Sequence, residues 1–154
     1  MDELYTLVTP SPSVVGQPNE PDVSNLITED DEPADNFPSA KQQRILVEPI
    51  YSSSKLQRPF LADSNIALYS TPRAAPIVPD MFLSRGVQVA DDWWEKANRS
   101  YLLWEFGKPP EVVLEIVSNQ KGKEDTDKLH DYAALGVLYY VIYDPQRLLS
   151  DDLL

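Results

Sequence analysis

The sequence has 154 residues, is 42% hydrophobic and contains no cysteine. This length and composition suit one domain with a hydrophobic core, and they exclude a disulfide-stabilised mini-protein or a site built on cysteine thiolates. No run of eighteen apolar residues is present, and the N-terminus lacks the basic start of a signal peptide, so we predict no membrane span. The composition is compatible with a reducing cytosol, and we expect a cytoplasmic protein.

The net charge of -12 is unevenly distributed along the chain. Residues 1–36 hold nine acids and no Lys or Arg, so residues 37–154, with sixteen acids and thirteen bases, carry a net charge of only -3. We predict that residues 1–36 form an acidic, Pro-rich, disordered arm and that residues 37–154 form the folded domain. An acidic surface argues against tight nonspecific DNA binding, but a mildly acidic domain with a local basic edge does not exclude it.

The first helix is predicted to begin near Ser39, which can cap it, because the apolar residues that follow have helical spacing. Pro49 lacks an N–H group, so we expect the helix to end near Glu48 or to resume after a kink as far as Tyr51.

Four strands, an insertion and a second helix account for the rest of the domain. The apolar and β-branched runs predict strands. The second helix is predicted to have Leu129, Tyr132 and Ala133 on one face and to stop at Gly136. In chain order the elements are a strand at 65–71, a strand at 77–83, an insertion at 84–108 with a short helix at 91–96, a strand at 111–118, a helix at 125–135 and a strand at 138–143. The predicted class is an α/β (α+β) fold, with an α-β-β-β-α-β order in which the last strand–helix–strand unit is a parallel crossover.

Two acids, Asp80 and Glu115, lie within predicted strands. An ionised carboxylate in a buried strand is costly unless it is paired, protonated, bound to a metal or at a solvated end. Two carboxylates at one sheet edge could hold Mg²⁺ or Mn²⁺, which polarises a phosphoryl oxygen and activates a water. The alternative is that both acids simply lie at solvated strand ends.

The motifs around these acids resemble those of the Uma2 family of restriction endonucleases, a cyanobacterial type within the PD-(D/E)XK nuclease superfamily. The resemblance spans roughly residues 39–145. It rests on Pro79–Asp80, Glu115–Ser118, Asp127–Tyr132, Leu135–Val137 and Tyr143–Pro145. It implies a restriction-endonuclease-like core with a mixed sheet flanked by helices, and Mg²⁺-dependent hydrolysis of DNA with Asp80 and Glu115 as metal ligands.

The lysine of the superfamily signature is displaced in this chain. Val117 stands two residues after Glu115, where the signature has Lys. The resemblance implies that Lys128, on the following helix, takes the catalytic place. The alternative is an ordinary helix lysine paired with Glu124. Lys121 and Lys123 are predicted to contact DNA phosphates.

Five further residues are functional candidates. Glu48 could be a third acid at the metal, although a solvent-facing acid is the simpler interpretation. His130 is the only histidine and is predicted to be a helix-surface residue, because no other His or Cys accompanies it. Three tryptophans could stack on bases or form dimer contacts, with packing of the insertion as the default. They are Trp93, Trp94 and Trp104.

The sequence therefore predicts a metal-dependent DNA endonuclease. Its alternative is a degenerate nuclease fold that serves as a DNA- or protein-interaction module. Because cutting both strands needs two sites, a homodimer is an attractive expectation. Uma2 relatives continue into a further β-rich segment, so the resemblance also implies a truncated C-terminal part.

Overall fold

A computed structural model describes residues 21–26, 36–53, 55–117 and 127–149. Three helices, six strands and a short 3₁₀ turn at Lys96–Asn98 make up these residues. In chain order they are α1 (Phe37–Ser52), β1 (Phe60–Asp63), β2 (Leu68–Tyr69), β3 (Met81–Arg85), β4 (Tyr101–Leu102), α2 (Leu103–Phe106), β5 (Val112–Ile116), α3 (Asp127–Leu135) and β6 (Tyr139–Tyr143).

The main sheet has four strands in the order β1-β3-β5-β6. β1 and β5 both run antiparallel to β3, whereas β6 runs parallel to β5 after the crossover through α3. Strands β2 and β4 form a separate parallel pair. The chain is thus a mixed α/β fold with a mixed sheet flanked by helices, which confirms the predicted α-β-β-β-α-β order and restriction-endonuclease-like class.

The two faces of the sheet are covered by different helices. Val113 of β5 pairs with Phe82 of β3 and Tyr140 of β6, and these residues pack with Tyr132 of α3 in the main core. On the other face, α1 packs on β1 through Tyr51, whose ring lies 5.0 Å from that of Phe60. Side chains alternate along a strand, so the face that α3 covers receives every second residue of β5.

The observed α1 differs from its prediction at both ends. Asn36, and not Ser39, is the N-cap: its Oδ1 accepts a hydrogen bond from the Ser39 N–H at 3.1 Å. The helix also passes through Pro49 to Ser52. Pro49 removes one helical hydrogen bond, but the last turn is held because the Tyr51 hydroxyl bonds to the Ala62 backbone on β1.

Two predicted strands were misplaced. Only Leu68–Tyr69 of the predicted 65–71 strand forms a strand, and the strand that pairs with β3 at one edge of the main sheet is Phe60–Asp63. Strand β3 begins at Met81, and Ile77 forms only an isolated bridge to Leu68. The reason is Pro79, which has no N–H group to donate to a ladder, so regular pairing starts after it.

The second half of the chain agrees more closely with its prediction. Strand β5, helix α3 and strand β6 lie within the predicted ranges, and Gly136 follows α3 with a φ of +89°. That left-handed conformation favours glycine and confirms the predicted stop. The helix predicted at 91–96 was wrong: residues 91–94 form turns, and the 3₁₀ helix at Lys96–Asn98 follows.

The described residues include 21–26 and Asn36 of the predicted disordered arm. Residues 21–26 end at Leu26, which is buried against Tyr69 and Leu102. The rest of the predicted arm lies outside the described residues. No helix in the described part of the chain is long and apolar enough to cross a membrane.

Candidate active site

Glu115 is the buried acid at the centre of the candidate site. It lies near the end of β5 and is only 2% exposed. The strand alternation places it two residues beyond Val113 on the face that α3 covers. A carboxylate at such a position needs partners within the protein.

Two side chains of α3 provide those partners. Lys128 Nζ donates to Glu115 Oε2 at 2.8 Å, and the Tyr132 hydroxyl donates to Oε1 at 2.6 Å. Burial raises the pKa of Glu115, and the opposing effects of Lys128 and Tyr132 do not cancel it. Burial and the adjacent Glu115 also raise the pKa of Tyr132, so its hydroxyl remains a hydrogen-bond donor.

Asp80 lies beside Glu115 because of the antiparallel pairing of β3 with β5. Asp80 comes directly before β3, and this pairing sets the start of β3 next to the end of β5. Its Oδ2 accepts a hydrogen bond from the Ile116 N–H at 2.7 Å. The structure therefore brings both predicted metal ligands to one end of the sheet, and the charge of Asp80 contributes to the raised pKa of Glu115.

The inner face of α3 differs from the predicted one. Leu129 and Ala133 were expected to pack with Tyr132, but both are exposed. The face that meets the sheet contains Lys128, Tyr132 and Leu135, at positions i, i+4 and i+7. Tyr132 was missed as a site residue, although the four-residue spacing from Lys128 was a usable signal: a helix that brings Lys128 to Glu115 brings Tyr132 as well.

The other candidate residues differ in whether they contact Glu115 or are exposed. Lys128 contacts Glu115, while Glu124, its alternative partner, lies outside the described residues, as do Lys121 and Lys123. Glu48 is exposed on α1, the helix on the other face of the sheet, which agrees with the simpler interpretation. His130 is exposed on α3, as predicted.

The three tryptophans have different surroundings. Trp104 packs against the small cluster of Leu26, Tyr69 and Leu102. Trp93 and Trp94 are 61% and 78% exposed and line a cavity on the main sheet. The packing interpretation is therefore right for Trp104 and wrong for the other two.

The donors at the sheet end fit a small, hard cation. Among the described residues, no group of three His, Cys, Asp or Glu side chains could hold a metal. Mg²⁺, however, is commonly held by one or two carboxylates with water completing its shell. Asp80 and Glu115 form such a pair, and Oδ1 of Asp80 has no hydrogen-bond partner within the described part of the chain.

Comparison with known proteins adds one finding. Residues 31–149 match the model of the Uma2 family, described as "Putative restriction endonuclease". Comparisons with curated proteins and with solved structures gave no match.

Proposed function

The chain belongs to the Uma2 family, and from that premise we propose that it is a metal-dependent endonuclease that hydrolyses phosphodiester bonds of DNA. The observation that carries the proposal is the meeting of Asp80, Glu115 and Lys128 at one sheet end. Two carboxylates and an ammonium group are the functional groups needed to hold a cation and to stabilise charge on a phosphate.

Asp80 and Glu115 would hold Mg²⁺ or Mn²⁺. When bound, the ion supplies a Lewis acid for the phosphate and lowers the pKa of a coordinated water. Hydrogen bonds within the protein fix both carboxylates: the Ile116 N–H donates to Asp80, and the Tyr132 hydroxyl donates to Glu115. Such outer hydrogen bonds set the direction of a carboxylate and limit its movement during the reaction.

Lys128 is the proposed catalytic lysine. Its ammonium group reaches Glu115 from α3 while its side chain stays 35% exposed, so it can face an incoming phosphate as well. A positive charge there would stabilise the negative charge that develops on the phosphate oxygens. Lys121 and Lys123 are proposed to contact phosphates of the same DNA strand.

The alternative function is a degenerate nuclease fold that binds DNA or protein. One observation favours it: both carboxylate oxygens of Glu115 already accept hydrogen bonds within the protein. Under the nuclease proposal, the carboxylate keeps further lone pairs for a cation, because each oxygen can accept more than one bond.

We further propose that the protein is cytoplasmic. We also propose that it forms a homodimer, because a double-strand cut needs two sites.

Plasmid nicking with Mg²⁺ or Mn²⁺ tests the proposal. We expect cleavage by the parent chain, inhibition by EDTA, and a loss of about 10²-fold or more on Asp80→Ala, with DNA binding retained. Asp131→Ala is the matched control, because Asp131 is an exposed acid on α3. Absence of metal-dependent cleavage by the folded parent protein, with DNA or protein binding unchanged by Asp80→Ala, would favour the interaction module.

A further inference from the structure

A second site is indicated by a cavity of about 390 Å³ on the main sheet. Its walls include Leu61 and Phe82 from the sheet and Trp93, Trp94 and Phe106 from the segment between β3 and β5. The volume is within the range of small-ligand sites, which run from roughly 300 to 1,000 Å³. Five of the twelve lining residues carry aromatic rings, so the cavity suits a flat ring.

The turn that carries the two tryptophans at this cavity is held by local hydrogen bonds. Arg99 Nε donates to the Trp94 carbonyl at 2.8 Å. Asn98 Nδ2 donates to Asp92 Oδ1 at 2.8 Å, which fixes the other side of the turn. Large apolar side chains on a surface are costly when they form a cluster, and such clusters usually mark a binding surface.

Three of the aromatic rings in the lining also pack on one another. The ring of Tyr101 stacks on that of Phe106 at 4.2 Å, and Phe82 meets Tyr101 edge to face at 5.4 Å. Asp63 lies among the lining residues and supplies a carboxylate acceptor. Arg99 also lies in the lining, so the cavity wall carries one acidic and one basic side chain, and the carboxylate can accept hydrogen bonds from ring and amino N–H groups.

The cavity lining includes Phe82 of β3, the strand that Asp80 directly precedes. Asp63 is paired with Phe82, and Phe82 follows Asp80 by two residues. Two residues of a strand span about 6.6 Å. Because successive nucleotides of a DNA strand rise about 3.4 Å, a strand whose phosphate lies at Asp80 has bases within reach of this cavity.

We propose that this cavity binds an unpaired nucleobase of the substrate strand, close to the phosphodiester bond that is attacked. The inference rests on the proposed function for the identity of the polymer, but base binding requires neither metal nor cleavage. A base inside a duplex is stacked and cannot enter a side cavity, so the site selects a strand whose base is unpaired or flipped out. Stacking on Trp93 and Trp94 supplies affinity without sequence preference.

Fluorescence anisotropy in EDTA tests this inference without cleavage. The probes are a labelled single strand of about 12 nucleotides and the same backbone with abasic positions, which keeps the phosphates and removes the bases. We expect the strand with bases to bind more tightly. Trp94→Ala should weaken its binding by about 10- to 100-fold, towards the level of the abasic strand, because stacking is lost.

Phe37→Ala is the matched control, since Phe37 is 93% exposed and does not line the cavity. It should leave both affinities unchanged. Equal binding of the two strands, or an unchanged affinity in Trp94→Ala, would overturn the inference. Metal-dependent plasmid cleavage together with equal binding of the two single strands would overturn this inference alone, whereas tighter binding of the strand with bases, without any cleavage, would overturn the proposed function.

Tryptophan emission at increasing protein concentration provides the remaining check. An emission spectrum that does not change with concentration supports a free cavity. A blue shift without nucleic acid would assign Trp93 and Trp94 to contact with a second copy of the chain and would overturn base binding.

Discussion

Glu111 and Glu115 lie four residues apart at opposite ends of β5, and each has a lysine partner and one further hydrogen-bond donor. Glu111 pairs with Lys108 and accepts from the Arg85 N–H at 2.9 Å. Glu115 pairs with Lys128 and accepts from the Tyr132 hydroxyl. The difference is burial: the Glu111 side chain is 26% exposed and that of Glu115 is 3% exposed.

Although the two glutamates have similar partners, their pKa values shift in opposite directions because their burial differs. At Glu111, burial tends to raise the pKa, but the bonds from Lys108 and Arg85 outweigh it and the pKa is lowered. At Glu115, burial outweighs its partners and the pKa is raised. A lysine–carboxylate pair near water is a surface ion pair of small energy, whereas the same pair in a desolvated site can be used for chemistry.

The largest expected difference is between the two lysines. Lys128→Ala should lower DNA cleavage by about 10²–10³-fold, because it removes the positive charge beside the proposed catalytic acids. Lys108→Ala should leave cleavage unchanged and should cost less than about 1 kcal/mol of stability, because its ion pair with Glu111 is partly solvated. Initial rates of plasmid nicking and urea unfolding measure the two quantities. Equal loss of activity in both variants would contradict the claim that Lys128 is catalytic and Lys108 is not.

A smaller effect is expected at the second partner of Glu115. Tyr132→Phe keeps the buried ring but removes the hydroxyl, so cleavage should fall by about tenfold and stability by about 1–3 kcal/mol. Tyr51→Phe is the control, because the Tyr51 hydroxyl also bonds to the protein, at the Ala62 backbone on the other face. It should lose a similar stability with no change in the rate measured per folded molecule. A full cleavage rate in Tyr132→Phe would show that Glu115 does not depend on this bond.

The sequence predicted the fold better where pattern and packing agree. Strand β5, helix α3 and the stop at Gly136 follow from apolar runs and a glycine, and all three were found. Strand β1 has only four residues and was missed, because its stability comes from pairing with β3 and not from a local pattern. Propensity signals are weak for so short a strand.

The candidate site was predictable in part. Asp80 and Glu115 could be singled out because acids near apolar runs are costly, and the family resemblance added Lys128. Tyr132 looked like a packing residue, because an apolar face and a hydrogen-bonding face cannot be separated until the helix is docked. The exposure of Trp93 and Trp94 depends on a turn whose hydrogen bonds join residues 92–99, and composition alone does not specify those bonds.

The pH dependence of stability should have opposite signs for the two glutamates. Glu111 has a lowered pKa in the folded state, so it contributes stability above its ordinary pKa of 4.5 that is lost as the pH falls through the folded value. Glu111→Gln should therefore be destabilised at pH 7 and should approach the parent at low pH. Glu115 has a raised pKa, so any stability linked to its neutral form is present below pH 4.5 and lost as the pH rises.

Glu115→Gln should accordingly gain stability relative to the parent as the pH rises from below 4.5 to 7. Urea unfolding between about pH 3.5 and 7 measures both trends, and the parent chain provides the reference curve. Two difference curves of the same sign would contradict the assignment of opposite pKa shifts.

The most direct test of the central claim is metal-dependent plasmid nicking by Glu115→Gln beside Glu111→Gln. Both variants remove one carboxylate charge near β5, and only one of the two acids lies beside Asp80. We predict that Glu115→Gln loses about 10²-fold or more of the parent rate and that Glu111→Gln stays within about twofold of it. A parent-like rate in a folded Glu115→Gln protein would contradict the claim that this buried acid is catalytic.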